Sequence, residues 1–234
     1  MITVTLFGAG GRMGQAVLSA LDSQPDIEIS WAVDVPERDG EEIGQIELTG
    51  DSGENDFLSD VWVDVSLAGA AFKHALKAEK SGIPIIIGAT GFTKKQSEYL
   101  ENMKTAHIIA PNLSVGVNLL FHLLPQIRKT LSGGYDVAIA ETHHRHKLDA
   151  PSGTAKKLAE VIESVRGPVQ TTSLRIGEVT GEHRIIFASE GEEIEIVHRA
   201  RSRMAFAQGV APAVRFLAGL DSGNYSMVDV LGLK

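Results

Sequence analysis

Short apolar runs alternate with amphipathic stretches through the first half of the chain. The apolar runs are rich in β-branched residues and predict strands, at residues 2–7, 27–33, 61–65, 83–87 and 107–110. Apolar positions at helical spacing between them predict helices, at residues 16–21, 70–80 and 94–103. Strands that alternate with helices are typical of a parallel sheet covered by helices. The acidic, glycine-bearing segment 40–56 is predicted to be a loop.

The second half of the chain carries a different pattern. A long helical stretch, residues 114–131, leads into an alternating run at 135–140 that predicts a strand. Ser152 is a good N-cap, and apolar residues at helical spacing after it predict another helix. Further runs predict strands, at residues 174–179, 183–189 and 193–199.

Composition limits the class of protein. The chain of 234 residues is long enough to bury a sizeable core in one large domain or two small ones. Its formal net charge of −8 argues against nonspecific nucleic-acid binding. It contains no cysteine, which excludes a disulfide framework and a cysteine nucleophile. Since no apolar run approaches the length of a membrane span and the start shows no basic leader, a soluble cytoplasmic protein is expected.

A glycine-rich segment, residues 8–14, follows the first predicted strand at once and precedes a helix. Gly8, Gly11 and Gly14 fit the spacing G-x-x-G-x-x-G, in the strand–turn–helix context in which such loops bind a pyrophosphate. Asp34 ends the second predicted strand, twenty positions after Gly14, where a carboxylate is placed to hydrogen-bond ribose hydroxyls. The segment therefore predicts a dinucleotide site, although a tight turn with a surface aspartate is the alternative.

Two later segments are expected on the same edge of the sheet as this loop. Residues 88–91 end the fourth predicted strand, and residues 111–113 follow the fifth. Ligands of parallel sheets sit at the carboxyl ends of the strands. These segments are therefore candidates for the remainder of a dinucleotide site.

The richest cluster of reactive side chains lies in residues 141–155. It combines histidines, Arg145 and Lys147 with a predicted helix start at Ser152 and Gly153. Two lysines also fall in the first helical turn, where the helix dipole favours anions by about 0.3–1 kcal/mol. Cations there cost stability unless an anion lies opposite, so the stretch predicts a pocket for a carboxylate-bearing substrate. A solvated basic turn with core histidines is the alternative.

Together these residues resemble the 4-hydroxy-tetrahydrodipicolinate reductase (dihydrodipicolinate reductase) family. The pattern Glu-x-His-x-x-x-Lys-x-Asp-x-Pro-Ser-Gly-Thr-Ala over residues 141–155 matches the family throughout. The likeness extends over nearly the whole chain, including residues 8–14, 88–92 and 110–118. The chain departs from the family pattern at Ala138, where a second acid is common, at Leu113, commonly aromatic, and in the short segment 35–60.

The resemblance implies an α/β fold: a Rossmann-type dinucleotide-binding domain plus an α+β domain with an open mixed sheet. The dinucleotide-binding domain would comprise residues 1–114 and 207–234, and the substrate-binding and oligomerisation domain residues 115–206. It also implies a homotetramer, NADH and/or NADPH as the cofactor, and a cyclic dicarboxylate as the substrate. The reaction would be reduction of 4-hydroxy-tetrahydrodipicolinate to tetrahydrodipicolinate with loss of water, in the diaminopimelate and lysine pathway.

The resemblance also implies roles for individual residues. His143 would be the acid–base residue and Lys147 the proton donor. His144, Gly153 and Thr154 would hold a substrate carboxylate. The cofactor-binding positions would be Gly8, Ala9, Gly10, Gly11, Arg12, Met13, Asp34, Gly88, Ala89, Thr90, Ala110, Pro111, Asn112 and Leu113.

Two other classes of protein are alternatives to this interpretation. His144 and His146 form an H-x-H pair that could bind zinc in a metal-dependent hydrolase. That hypothesis needs a third ligand and leaves the glycine-rich segment unexplained. A nucleotide-sensing binding module is the other alternative, because a fold does not dictate catalysis. Such a module would have no use for His143 and Lys147 beside an anion pocket.

Overall fold

The computed structural model describes residues 1–53, 55–165 and 167–233, which form two compact units. One unit is Met1–Ser114 together with the chain from Phe206 onward, and the other is Val115–Ala205. The strands in the described part of the chain are β1 (Ile2–Phe7), β2 (Ile27–Asp34), β3 (Glu42–Ile43), β4 (Ile46–Glu47), β5 (Thr49–Gly50), β6 (Val61–Asp64), β7 (Ile85–Ile87), β8 (His107–Ile109), β9 (Asp136–His143), β10 (Gln170–Arg175), β11 (Gly181–Ala188), β12 (Glu193–Ala200) and β13 (Asn224–Tyr225). The helices are α1 (Arg12–Asp22), α2 (Ala68–Ser81), α3 (Lys94–Glu101), α4 (Val115–Thr130), α5 (Gly153–Glu163), α6 (Met204–Ala207), α7 (Val210–Leu217) and α8 (Met227–Val230).

The first unit is built on a parallel sheet with the strand order β13-β8-β7-β6-β1-β2-β5. Its central strands are apolar on both faces, as in Ile85–Ile87, because helices cover both sides of such a sheet. Trp62 and Phe7 are buried in this core and meet edge to face, with ring centroids 5.0 Å apart. Parallel strands joined through helices bring the carboxyl ends of β1, β2, β6, β7 and β8 to one edge.

The second unit is built on a mixed sheet with the strand order β10-β9-β11-β12. β10 runs parallel to β9, whereas β11 is antiparallel to both β9 and β12. Helices α4 and α5 cover one face, where alternate residues such as Ile139, Ile185 and Phe187 join Leu158 and Ile162 in the core. In the described residues of this unit, no helix covers the opposite face.

The predicted fold class is confirmed, since a helix-covered parallel sheet and a separate open mixed sheet are both present. The predicted loop at 40–56 was wrong in part, because it contains the β3–β4 hairpin and the edge strand β5. The strand predicted at 174–179 was also misplaced, because the real strand β10 is a polar edge strand, QTTSLR, without an apolar signal. None of the described helices is long and apolar enough to cross a membrane.

β9 ends three residues later than its apolar pattern predicted. It continues from Ala140 through Glu141 and Thr142 to His143. These three polar residues stay in register with β10, and Glu141 and Thr142 also pair with β11. Side chains alternate along a strand, so Glu141 and His143 project from the same face. The extension therefore carries two ionisable groups into the interior of the second unit.

Candidate active site

The glycine loop between β1 and α1 leaves no room for side chains at its turn. Gly8 has φ of +78°, a conformation that favours glycine. A Cβ on Gly14 would lie 2.1 Å from the Gly8 carbonyl oxygen, so the first turn of α1 approaches the strand end closely. Gly11 is the N-cap of α1, and Arg12 and Met13 are its first residues. Exposed backbone N–H groups at such a helix start suit a pyrophosphate.

Asp34 lies at the end of β2 and is held by the glycine loop. Its Oδ2 accepts a hydrogen bond from the Gly10 N–H at 2.7 Å, and its Oδ1 accepts one from the Val35 N–H at 2.9 Å. The Arg38 guanidinium lies 3.8 Å from Asp34 Oδ2 and is bonded to Glu41 as well. The structure thus places a cation beside the carboxylate that was predicted to contact the ribose.

A cleft of about 660 Å³ opens beside this loop within the first unit. Its lining includes Phe7, Gly8 and Asp34 from the strand ends and Lys73 and Lys77 from α2. A glycine loop at a helix start, a carboxylate at the end of β2 and an adjoining cleft match the needs of a dinucleotide. The residues of this unit therefore fit NAD(P)H.

His74 forms a buried cluster on the wall of the same cleft that the sequence did not indicate. Its ring stacks on Phe7 with centroids 4.1 Å apart. Its Nδ1 lies 2.5 Å from Asp64 Oδ2 and its Nε2 3.1 Å from Asp51 Oδ2. Burial lowers the pKa of His74, but Asp64 and Asp51 outweigh burial and the net shift is upward. The short segment after β2 is thereby tied to α2 through Asp51.

The other predicted cofactor-binding residues follow β7 and β8. Gly88, Ala89 and Thr90 come directly after β7, and Ala110, Pro111, Asn112 and Leu113 directly after β8. The two segments meet, since a Cβ on Gly88 would lie 3.3 Å from Leu113 Cδ1. The structure therefore brings all the predicted cofactor-binding residues to the carboxyl edge of one sheet.

Glu141 is the centre of the site in the second unit. It is fully buried, and its two oxygens accept hydrogen bonds from His143 Nδ1 at 2.5 Å, Arg175 Nη1 and Nη2 at 2.9 and 2.7 Å, and the Ser152 N–H at 3.1 Å. Burial raises the pKa of Glu141, but these bonds and one from Ser173 outweigh it and lower the pKa to about 2. Glu141 is therefore a carboxylate at any physiological pH.

His143 ends β9 and is nearly buried, with 8% of its surface exposed. Because Glu141 is charged and accepts from Nδ1, the neutral ring carries its lone pair on Nε2. Burial lowers the pKa of His143, and Glu141 offsets part of that shift. A Cβ on Gly181 of β11 would lie 3.1 Å from Nε2, so the ring needs a glycine beside it. This geometry suits a residue that takes up and releases a proton at Nε2.

Lys147 lies in the turn that follows β9. Its Nζ is 2.7 Å from Asp149 Oδ1, and its backbone N–H donates to the His144 carbonyl. Burial raises the pKa of Asp149, but Lys147 and the backbone N–H of Gly153 help to outweigh burial, and the net shift is downward. The predicted residues His143, His144 and Lys147 thus occupy one turn and the strand end that precedes it.

The start of α5 is built as predicted around Ser152. The Ser152 Oγ accepts from the Ala155 N–H at 3.1 Å and lies 3.2 Å from His183 Nε2. Gly153 and Thr154 are the first helical residues, where backbone N–H groups lack helical acceptors. Of the two first-turn lysines, Lys157 pairs with Glu160 at 2.7 Å. Part of the positive charge that suggested an anion pocket is therefore neutralised within the helix.

Sequence reasoning missed Arg175, His183 and Gly181 as parts of this site. Glu141 and His143 carried a signal, since residues two apart on a strand share a face. Arg175 and His183 come from the neighbouring strands β10 and β11, and no local pattern indicates which strands pair. Burial, followed by the charge of His143, lowers the pKa of His183 to about 4, so its ring is neutral.

The proposed zinc pair gains no support. The rings of His144 and His146 are 6.3 Å apart between centroids. Across the described residues, no group of three or more histidine, aspartate or glutamate side chains is arranged to hold a metal ion. The metal-dependent hydrolase is therefore not favoured.

Comparison with known proteins agrees with both units. Family models described as dihydrodipicolinate reductase, N-terminus and C-terminus, match residues 2–113 and 116–231. The 4-hydroxy-tetrahydrodipicolinate reductase of Methanocaldococcus jannaschii is 37% identical, over 100% of this chain and 98% of the relative. That of Nitrosomonas eutropha is 35% identical, over 100% and 99%. A dipicolinate-bound dihydrodipicolinate reductase from Paenisporosarcina sp. TG-14 shares the fold, with a TM-score of 0.78, 23% identity and 98% of each chain covered. The chain therefore belongs to the dihydrodipicolinate reductase family.

Proposed function

We propose that this protein reduces 4-hydroxy-tetrahydrodipicolinate to tetrahydrodipicolinate with NAD(P)H, in diaminopimelate and lysine biosynthesis. The substrate, NAD(P)H and one proton give tetrahydrodipicolinate, NAD(P)⁺ and water. Family membership over the full chain supports the substrate. The observation that carries the chemistry is the buried Glu141–His143 pair beside Lys147 and the capped start of α5.

The cofactor is assigned to the first unit, residues 1–114 with the C-terminal segment. Bound NAD(P)H supplies the hydride. The Gly8–Met13 turn would bind the pyrophosphate at the start of α1, where the N–H groups of the first helical residues, Arg12 and Met13, have no helical acceptor. The N–H groups of Gly8 to Gly11 are bonded within the first unit and hold the turn in place. Asp34 would accept hydrogen bonds from the ribose hydroxyls. The segments after β7 and β8 would hold the nicotinamide side.

The proton is assigned to His143 and Lys147 of the second unit, residues 115–205. Reduction builds negative charge that is conjugated with the ring nitrogen of the substrate, so a proton must be delivered to complete the reaction. Lys147 is the proposed donor, with its ammonium held by Asp149. His143 exchanges protons through Nε2, since Nδ1 is bonded to Glu141.

The substrate carboxylate is assigned to His144 and the start of α5. Gly153 and Thr154 begin an eleven-residue helix, whose positive end favours an anion. A Cβ on Gly153 would meet no atom within 4 Å, so there is space for a ligand beside the Gly153 Cα, while the Gly153 N–H is bonded to the Asp149 carboxylate. A planar dicarboxylate therefore fits this helix start better than a neutral ligand.

The expected homotetramer in the cytoplasm is also part of this proposal. The uncovered face of the β9–β12 sheet supports it, because Leu174 on β10 is 55% exposed and Ile186 and Val197 project from the same face. Apolar residues on an open sheet face favour association. Light scattering with the wild type and Ile186→Glu tests this assembly. A monomeric wild type would contradict it.

The function is tested by following NADH oxidation with freshly generated substrate. We expect oxidation that depends on the substrate and is inhibited by dipicolinate in competition with it. A matched assay without substrate controls for nonspecific oxidation. No substrate-dependent oxidation with either NADH or NADPH would overturn the proposal, and competition of dipicolinate with the cofactor alone would overturn the assignment of the carboxylate pocket.

A further inference from the structure

Glu141 and Arg175 connect parts of the second unit that are distant in sequence. Glu141 joins His143 on its own strand to the Ser152 N–H at the start of α5. Arg175 on β10 grips both oxygens of Glu141 and donates from Nη2 to the Asp149 carbonyl at 2.5 Å. One buried ion pair therefore touches the strand end, the turn after it and the helix start.

We propose that Glu141 and Arg175 are positioning residues for the reduction. The pair sets the protonation behaviour of His143 at Nε2 and fixes that ring relative to the carboxylate-binding start of α5. The inference rests on the proposed role of His143, and neither Glu141 nor Arg175 is given contact with the substrate.

The geometry explains why a charged pair is kept here. Neutral histidine exists in two tautomers, and the tautomer is set by the bond that the other ring nitrogen makes. Glu141 accepts from Nδ1, which leaves the lone pair on Nε2. A buried carboxylate alone would be costly, and the bidentate contact with Arg175 compensates it.

Glu141 and Arg175 shift the pKa of His143 in opposite directions. The negative Glu141 raises the pKa of His143, whereas the positive Arg175 and Lys147 lower it. From β11, His183 meets the His143 ring edge to face at 5.2 Å between centroids, and His198 on β12 lies beyond it, 6.4 Å from His183. Burial lowers the pKa of both His183 and His198. The charges that set the titration of His143 are therefore those of Glu141, Arg175 and Lys147.

Because the two residues shift the pKa of His143 in opposite directions, their variants should move the kcat–pH profile in opposite directions. A merely structural role would not produce this result. In Glu141→Gln, the limb of the kcat–pH profile that reports His143 should move to lower pH by about one unit or more, because an adjacent negative charge is lost. In Arg175→Met the same limb should move to higher pH, because a cation is lost. Each variant should lose roughly ten- to a hundredfold in kcat, the range for a lost charge-assisted hydrogen bond. The KM for NADH should stay within about twofold in both.

Glu160→Gln is the matched control, since it removes an exposed carboxylate of the same unit whose ion pair lies on the surface. It should leave the profile in place. Arg175→Lys keeps the cation, so the limb of the kcat–pH profile that reports His143 should stay near its wild-type pH. Together with Arg175→Met, this variant tests the inference if Glu141→Gln does not fold. An unmoved limb in Glu141→Gln and Arg175→Met, or shifts of the same sign, would overturn the inference, as would a displaced limb in Arg175→Lys. Wild-type kcat in His143→Ala would instead overturn the role on which the inference rests.

Discussion

The glycine loop lies at the end of β1 and the Glu141 cluster lies at the end of β9, but the two sites are built by opposite means. The loop draws on consecutive residues, and its requirement is the absence of side chains, as the 2.1 Å approach at Gly14 demonstrates. The cluster draws on three strands, β9, β10 and β11, and a helix start, and its requirement is a set of buried charges that compensate one another. The first is a local feature of the sequence, whereas the second exists only after folding.

This difference predicts different modes of failure. A change in the loop should weaken cofactor binding, because the backbone is displaced. A change in the cluster should slow the chemical step and leave cofactor binding intact, because the two lie in separate units.

The largest effects are expected at the two residues assigned to proton transfer. Loss of a general acid typically costs about 10²–10⁴-fold, chiefly in kcat. We expect His143→Ala and Lys147→Ala each to lower kcat by at least about a hundredfold, measured by NADH oxidation at saturating substrate. His144→Ala is the comparison, and it should mainly raise the substrate KM. Near-normal kcat in both alanine variants, with NADH binding intact, would remove this stretch from the chemistry.

A methyl group on Gly14 should damage the loop next most severely. Its Cβ would lie within 2.6 Å of backbone atoms of both Gly8 and Ala9, which cannot rotate away. Overpacking of this kind costs about 1–3 kcal/mol. Gly14→Ala should therefore raise the dissociation constant for NADH by roughly five- to a hundredfold, as titrated by fluorescence.

Gly69→Ala is the control for that prediction. Gly69 lies in α2, and a Cβ there would meet no atom within 4 Å. Alanine at an open helical position is neutral or stabilising. Equal NADH affinity in Gly14→Ala and the wild type would show that the close approach is not required.

The sequence predicts the glycine loop better than the Glu141 cluster, because the loop is local in sequence and the cluster is not. Gly8, Gly11, Gly14 and Asp34 are predicted as dinucleotide-binding residues from spacing alone, since the strand, the turn and the helix are consecutive. Arg175 was not identified, because it belongs to a polar edge strand whose pairing with β9 depends on the whole sheet. Strand pairing and the compensation of buried charges are tertiary properties, so a linear pattern does not record them.

Gly181 tests whether a close approach can also matter within the charged cluster. A Cβ there would lie 3.1 Å from His143 Nε2, close enough to displace the ring by a few tenths of an ångström. Gly181→Ala should lower kcat by roughly three- to tenfold, because misplacement of a reacting group is costly. The KM for NADH should not change. Gly191→Ala, in the turn before β12 with open space around its Cβ, is the control.

The smallest effect is expected for substitutions of Asp34 and Arg38, which are predicted to lie near the ribose of the cofactor. There the choice between NADH and NADPH depends on charge. Asp34 would repel a 2′-phosphate, but Arg38 lies 3.8 Å from its carboxylate and offers a partner to that phosphate. We therefore expect NADH to be used at least as well as NADPH, with both accepted. Asp34→Asn should shift kcat/KM toward NADPH by a few-fold up to about tenfold, and Arg38→Ala should shift it toward NADH, because exposed ion pairs contribute only about 0–1 kcal/mol. A hundredfold preference of the wild type for NADPH would contradict the assignment of Asp34 to the ribose. Shifts of the same sign in the two variants would mean that Arg38 acts only through the loop and not on the phosphate.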